Sequence, residues 1–114
     1  MTTSLIDKIR AGRRFSVKVD HMTFTGERPT VEKFADMYKQ GKTDCEMVRL
    51  AIDGWSGVKE KDIIKGGNSD IVEFDPELWA VVIGDMPHVW SKIASVIADG
   101  ITACSEKSEA ARKN

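Results

Sequence analysis

The segment from residue 52 to residue 79 constrains the fold most, because it joins bulky apolar groups through residues that turn the chain. Trp55 is followed closely by Gly57 and Val58, and glycine allows a backbone to turn sharply beside a large side chain. Asp75-Pro76 then provides a strong helix start. The aspartate carboxylate accepts from free backbone N–H groups, and proline at the first helical position sacrifices no hydrogen bond. The segment therefore predicts a turn that leads the chain into a new helix.

Helical periodicity accounts for most of the remaining apolar residues. Thr43 and Glu46 have the spacing of a capping box, in which each side chain satisfies a backbone donor at the helix start. The pattern predicts a first helix over Leu5–Ala11, between Ser4 and Gly12, and a helix from Pro76. Two further helices each carry one apolar stripe: the helix after Thr30 has Val31, Phe34, Ala35 and Tyr38, and the helix from Thr43 has Met47, Val48, Ala51 and Trp55. The last helix begins at Pro87 and is the longest, with the apolar residues Val89, Trp90, Ile93, Val96, Ile97, Ile101 and Cys104.

A small amount of β structure is predicted near the N-terminus. Apolar and polar residues alternate from Phe15 to Val19 and again from Met22 to Thr25, which is the period of half-buried strands. We expect a hairpin that turns at Asp20-His21. The charged, glycine-containing stretch from Lys59 to Asp70 is predicted to be a surface loop. The fold class expected is therefore mainly α, of the α+β class, with a small N-terminal hairpin.

Length and charge limit the architecture and the kinds of partner. A chain of 114 residues builds one core, so we expect one domain over residues 1–105 and a polar tail over residues 106–114. Seventeen basic and 18 acidic residues leave a formal charge of −1, which provides no general attraction to nucleic acid or to an anionic membrane. No apolar run approaches the roughly 20 residues that cross a bilayer, and the first residues lack the pattern of a secretion signal. We expect a cytoplasmic protein without nucleic-acid or membrane partners.

The sequence contains no arrangement typical of a metal site or of a catalytic nucleophile. His21 is expected in a turn and His88 at a helix start, and neither is near a cysteine in sequence, whereas a metal site needs several ligands together. Cys45 lies between two acidic residues, which disfavour a thiolate, and like Cys104 it is expected to be a reduced, small apolar residue in a helix. The acidic residues around Asp75 are explained by the positive end of the following helix. We expect no catalysis, no cofactor and no bound metal.

The region from about residue 45 to residue 100 resembles the tail assembly chaperones of long-tailed bacteriophages. That family carries a W-x-G-V segment after a helix, then a loop, then an F-[ST/D]-x-E-x-[LW] segment that leads into a helix followed closely by another. The matching residues are Trp55, Gly57 and Val58, then Phe74, Asp75, Glu77 and Leu78, followed by the break at residues 84–87.

The resemblance implies a non-catalytic protein that binds the tape measure protein and recruits tail tube subunits during tail morphogenesis. It also implies self-association into a homo-oligomer, action in the host bacterial cytoplasm, and absence from the finished virion. The residues expected to contact a protein partner are the apolar groups of the family-like region and of the last helix. They are Trp55, Val58, Phe74, Trp79, Trp90, Ile97 and Ile101. Most tryptophans are expected in or at the edge of the core, with Trp55 the most exposed if one is exposed.

Two other functions are compatible with the sequence. The helix from Val31, the turn at residues 40–42 and the helix from Thr43 have the spacing of a helix-turn-helix DNA-binding regulator. Asp44 and Glu46 disfavour that function, because they occupy the turn of the second helix that would approach the DNA backbone. The second alternative is another phage morphogenesis protein, either a head–tail connector or a tail completion protein.

Overall fold

The computed structural model describes the backbone of residues 4–113 and the side chains of residues 4–106. These residues form helices around a three-stranded antiparallel sheet, so the predicted mainly α fold of the α+β class is confirmed. In chain order the elements are α1 (Leu5–Gly12), β1 (Arg14–Val19), β2 (Met22–Glu27), α2 (Val31–Lys39), α3 (Asp44–Ala51), β3 (Ile52–Ser56), α4 (Glu60–Ile63), α5 (Pro76–Val82), a 3-10 turn (Ile83–Asp85) and α6 (Pro87–Lys113).

The predicted hairpin is the first half of the sheet. Strands β1 and β2 pair from Arg14 opposite Glu27 to Val19 opposite Met22. The turn contains only two residues, and Asp20 adopts a φ of 56°. A positive φ in a two-residue turn matches the right-handed twist of the paired strands. The hairpin therefore forms although the turn lacks an Asn-Gly or Asp-Gly pair.

The third strand corrects the prediction that the helix from Thr43 includes Trp55. Helix α3 ends at Ala51, and the chain continues directly into β3, which pairs with β2. A Cβ atom at Gly26 would lie 2.2 Å from the carbonyl oxygen of Ala51, so glycine in β2 allows the end of α3 to approach the sheet. Trp55 follows Ala51 by four residues, a spacing that fits a helix, but its partner is Phe24 across the sheet.

Hydrogen-bonding side chains begin four of the helices where the sequence predicts. Ser4, Thr30 and Thr43 each accept a backbone N–H three residues later, and Asp75 accepts the N–H groups of Glu77 and Leu78. Each such bond satisfies a donor that the helix itself leaves free. The capping box predicted at Thr43 is confirmed for the bond in which the Thr43 hydroxyl accepts the Glu46 N–H. Among the described residues there is no second bond in which the Glu46 carboxylate accepts the Thr43 N–H.

Helix α6 lies at the centre of the core, where it contacts α2, α3 and β1. Its buried residues recur at three- and four-residue spacing, as predicted, and each fully buried aliphatic side chain stabilises the fold by about 1.5–3 kcal/mol. They are Val89, Ile93, Ala94, Ile97 and Ile101, while Trp90 and Val96 are half-buried at the edge. The Nζ of Lys92 donates to the carbonyl oxygen of Lys18 in β1 at 2.8 Å.

Among the described residues, no helix combines the length and apolar character needed to cross a membrane.

The apolar stripe predicted for α2 is wrong in its orientation. The residue that α2 buries is Met37, whereas Ala35 and Tyr38 face solvent. Phe34 is half-buried and its ring packs edge-to-face on Tyr38, with centroids 4.9 Å apart. Helix α2 contacts α6. Packing against neighbours, more than the apolar pattern alone, decides which side of a short helix is buried.

The stretch predicted as a loop, residues 59–70, contains the single helical turn α4 and is otherwise irregular. It is closed by an isolated bridge between Lys59 and Ile71. At its base His21 Nε2 lies 2.7 Å from Asp62 Oδ2, and the same carboxylate accepts the backbone N–H of Lys59 at 2.8 Å.

At the other end of the chain, the backbone of the segment predicted as a polar tail, residues 106–114, continues α6 through Lys113.

Candidate protein-interaction surface

Four aromatic rings from the family-like region and the sheet form one cluster. The ring of Trp55 packs edge-to-face on Phe74 at 5.1 Å, on Trp79 at 6.1 Å and on Phe24 at 6.3 Å. Phe24 in turn lies 5.6 Å from Trp79. Edge-to-face pairs at such distances stabilise by about 0.5–1.5 kcal/mol beyond the area they bury. The cluster thus brings Trp55, which precedes the irregular segment 57–73, into contact with Phe74 and Trp79, which follow it.

Each indole of the cluster also donates a hydrogen bond. Nε1 of Trp55 donates to the carbonyl oxygen of Val72 at 2.8 Å, and Nε1 of Trp79 donates to that of Arg49 at 3.1 Å. The first bond ties β3 to the segment before α5, and the second ties α5 to the end of α3. Because a buried indole N–H without a partner is costly, both tryptophans are suited to holding these elements together.

The structure places the seven predicted interaction residues in two groups. Trp55, Phe74 and Trp90 are half-buried at the edge of the core. The other four, Val58, Trp79, Ile97 and Ile101, are at most 7% exposed. The side chains of this second group pack in the hydrophobic core of the same chain and leave almost no area for contact with a partner. Trp55 and Trp90 belong to the same half-buried class, and both are more exposed than Trp79.

An exposed apolar side chain lies near the cluster, that of Leu50, which is 58% exposed. Leu50 lines two adjoining hollows of about 580 and 290 Å³, which we call the first trough, and the buried Met37 lies beneath both while Met47 lies beneath the second. Leu50 also lines a hollow of about 450 Å³ with Phe74 and Pro76, which we call the second trough. We call Leu50, Phe74 and Pro76 the Leu50 surface.

Charged groups surround this surface without giving it a dominant sign. Glu32, Lys33 and Asp36 line the first trough, and Arg49 and Asp53 line the second. The guanidinium of Arg14 forms a two-pronged ion pair with Asp53, and that hydrogen bond raises the pKa of Arg14. An apolar floor with a mixed polar rim is typical of surfaces that bind other proteins.

The described residues contain no metal-binding cluster near this surface. Among residues 4–106 there is no group of three or more His, Cys, Asp or Glu side chains placed to hold a metal ion. Burial is the largest influence on Cys45 and raises the pKa of its thiol, and Glu46 adds to the rise while Arg49 opposes it. A thiol with a raised pKa is a poor nucleophile at neutral pH.

Helices α2 and α3 form the pair that suggested a helix-turn-helix. The hydroxyl of Tyr38 donates to Oδ1 of Asp44, which joins the end of α2 to the start of α3, and this bond raises the pKa of Tyr38. Helix α3 buries three of its eight residues, and its first turn carries Asp44 and Glu46. A DNA-reading helix needs an exposed, uncharged or basic first turn.

Comparison with protein-family models, with curated proteins and with solved structures gave no match. The function proposed below therefore depends on the resemblance of residues 45–100 to the tail assembly chaperones and on the surface described above. Leu50 was not among the interaction residues predicted from the sequence, although a signal for it exists. It is an apolar residue off the stripe of Met47, Val48 and Ala51 in α3, and an exposed apolar side chain beside other apolar groups is a feature of binding surfaces.

Proposed function

We propose that this protein is a phage tail assembly chaperone, which binds the tape measure protein without catalysis and recruits tail tube subunits during tail morphogenesis. The tape measure chain exposes apolar helix faces until tube subunits surround it, and a small protein with an apolar groove can cover those faces temporarily. In this proposal the protein acts as a homo-oligomer in the host bacterial cytoplasm and leaves before the virion is complete.

The Leu50 surface is the observation that carries this proposal. An amphipathic helix places apolar side chains at positions i, i+3, i+4 and i+7, so it can lay its apolar face against Leu50 and into the troughs that Leu50 lines. Met37 and Met47 form part of the floor, and methionine adapts its shape to different side chains. Such a surface suits a chaperone that must bind a long helical chain at many similar places.

The packing of the family-like residues gives further support. Trp55 and Phe74 come from opposite ends of the irregular segment, yet their rings are 5.1 Å apart. The Trp55 indole donates to Val72, two residues before Phe74. The two halves of the resemblance thus form one packed unit, and Phe74 and Pro76 of that unit line the second trough of the Leu50 surface.

Shallow troughs also suit a complex that must come apart. The hollows are open, and their rims carry exposed charged side chains that remain solvated. Affinity depends on a few well-buried anchor residues more than on area, and here the exposed apolar anchor at the centre is Leu50. A contact of this kind holds the tape measure chain with modest affinity, so that tube subunits displace the chaperone.

Co-expression with the tape measure protein of the same phage genome tests the proposal. We expect the tape measure protein to co-purify with the wild-type chain. Leu50→Glu should weaken the complex by roughly tenfold or more, because it places a carboxylate at the centre of the contact. Ile64→Glu is the matched control, since Ile64 is 56% exposed and lines none of the three hollows. Failure of the wild-type chain to bind would refute the function, whereas equal binding by Leu50→Glu would refute only the surface.

Mass spectrometry of purified virions separates a chaperone from a head–tail connector or a tail completion protein. A chaperone leaves during assembly, so we expect its peptides to be absent from virions and present in lysates of infected cells. Stoichiometric recovery from virions would support a connector or completion protein and would contradict the proposal.

A further inference from the structure

Helix α1 is amphipathic but buries none of its residues in the described part of the chain. Leu5, Ile6 and Ile9 are 71%, 64% and 49% exposed, and with about 3.6 residues per turn they share one side of the helix. We call these three residues the α1 stripe. A helix of eight residues gains little stability alone, so an apolar stripe on an unpacked helix indicates a surface that another polypeptide covers.

Basic side chains flank the α1 stripe. At the spacing of an α-helix, Lys8 and Arg10 lie on either side of the stripe, while Asp7 lies on the opposite face. Residues 5–13 carry three basic groups, with Arg13 as the third, and one acidic group, a net charge of +2. The partner of α1 should therefore present an apolar patch bordered by carboxylates.

The same chain presents such a patch on α5. From residue 66 to residue 91 there is no Lys or Arg and there are five acidic residues, so this stretch has a net charge of −5 with histidine neutral. A shallow hollow of about 300 Å³ on α5 is lined by Leu78 and Val81 and bordered by Asp75 and Glu77. Val81 is 72% exposed. We call these four residues the α5 notch.

We propose that α1 of one copy docks in the α5 notch of a second copy. The α1 stripe covers Leu78 and Val81, while Lys8 and Arg10 approach Asp75 and Glu77. This inference rests on the proposed function only for the expectation that copies associate. The two surfaces that it names follow from the residues of α1 and α5. The Leu50 surface is not used in the contact, so either proposal can fail without the other.

The geometry of this contact determines how assembly proceeds. The two surfaces are different, so each copy has one donor helix and one acceptor notch, and copies join head to tail. An eight-residue helix cannot bury the roughly 1,600 Å² of a standard stable interface. Association should therefore depend on protein concentration, and it should weaken as salt screens the charged pairs.

Sedimentation velocity of two complementary variants tests this contact. Leu5→Ser/Ile9→Ser removes the α1 stripe and keeps the notch, while Val81→Lys blocks the notch with a like charge and keeps α1. We expect the wild-type chain to associate as concentration rises and each variant to remain monomeric. An equimolar mixture of the two variants should form a heterodimer and no larger species, because it contains one intact pair of surfaces.

Control measurements separate this contact from misfolding and from other modes of association. Circular dichroism checks that each variant folds, and Ile64→Lys, which changes another exposed isoleucine, should associate like the wild-type chain. A mixture that stays monomeric would overturn the proposal, as would a Val81→Lys variant that associates normally, which would indicate pairing between two α1 helices. A wild-type chain that is monomeric throughout but sediments with vesicles containing phosphatidylglycerol would also overturn it, by assigning α1 to a membrane surface.

Discussion

Helices α1 and α3 have the same length and the same kind of start, yet they have opposite relations to the rest of the molecule. Each contains eight residues and begins at a hydroxyl side chain, Ser4 or Thr43, that accepts a backbone N–H. Helix α3 buries Met47, Val48 and Ala51, whereas α1 buries nothing. Capping and propensity explain why both segments are helical. Burial depends on neighbours, and α3 has α6 beside it.

The largest contrast between the two helices should appear when an apolar residue is truncated. Met47 is 3% exposed in α3 and Leu5 is 71% exposed in α1. Met47→Ala should lower the free energy of unfolding by about 2–5 kcal/mol, because it leaves a cavity in the core. Leu5→Ala should change it by less than about 0.5 kcal/mol. Urea denaturation measures both values, and equal effects would show that α1 packs on the body of the same molecule.

Glycine substitutions should give the next contrast. In Gly26→Ala the new methyl group would lie 2.2 Å from the carbonyl oxygen of Ala51, so we expect a loss of about 1–3 kcal/mol as the end of α3 moves away from the sheet. In Gly12→Ala nothing lies within 4 Å of the new methyl group. That change should stabilise α1 locally by about 0.5–1 kcal/mol, seen as slower amide exchange in α1 with an unchanged unfolding midpoint.

Removal of the caps should give a smaller difference. Thr43→Ala takes away the acceptor for the Glu46 N–H and should cost about 1 kcal/mol of global stability. Ser4→Ala takes away the equivalent acceptor for the Asp7 N–H. Because α1 is not coupled to the core, we expect only faster amide exchange in α1. A fall in the global unfolding midpoint for Ser4→Ala would contradict the contrast drawn between the two helices.

The smallest expected effect is a pH dependence of the free energy of unfolding, caused by Asp62 outside α1 and α3. Burial raises the pKa of Asp62, but the hydrogen bonds from His21 and from the Lys59 N–H outweigh it, and the net pKa is lowered. A carboxyl whose folded pKa lies below the ordinary value of about 3.9 stabilises the fold above that pH. The contribution is lost as the pH falls through the folded pKa.

Asp62→Asn tests this contribution. The variant should be less stable than the wild-type chain by no more than about 1 kcal/mol at pH 6, and the difference should shrink towards pH 3. Thermal unfolding followed across this range measures it. A difference that does not change with pH would assign the effect to packing at the base of the 59–70 segment and not to the charge of Asp62.

Local chemistry explains which parts of this fold the sequence predicts. The caps at Ser4, Thr30 and Asp75 are decided within three residues, and the hairpin by alternation over a dozen, so these predictions are confirmed. Strand β3 was missed because its partner lies about 30 residues earlier in β2. A spacing of four residues from Ala51 to Trp55 fits a helix equally well, and the pairing with β2, for which Gly26 leaves room, distinguishes the two.

The candidate surface was less predictable than the fold. Aromatic residues of the family-like region drew attention to Trp79, which the structure buries, and away from Leu50, which it leaves exposed. Both residues are apolar and both lie in short helices. The identity of a side chain does not reveal whether another element covers it, because that depends on how α3, α5 and the sheet come together. The acidic notch on α5 is visible in the sequence only as a stretch without Lys or Arg.

The hydrogen bond from Lys92 to the Lys18 carbonyl has a consequence for the free edge of the sheet. Strand β1 lies at the edge of the sheet, and an uncovered edge is a template on which an extended foreign chain can add as a further strand. The ammonium occupies one acceptor of that edge and leaves a positive charge beside it, which discourages such addition. Lys92 in this way makes the free edge of the sheet less available to a further strand, whichever chain lies beside it.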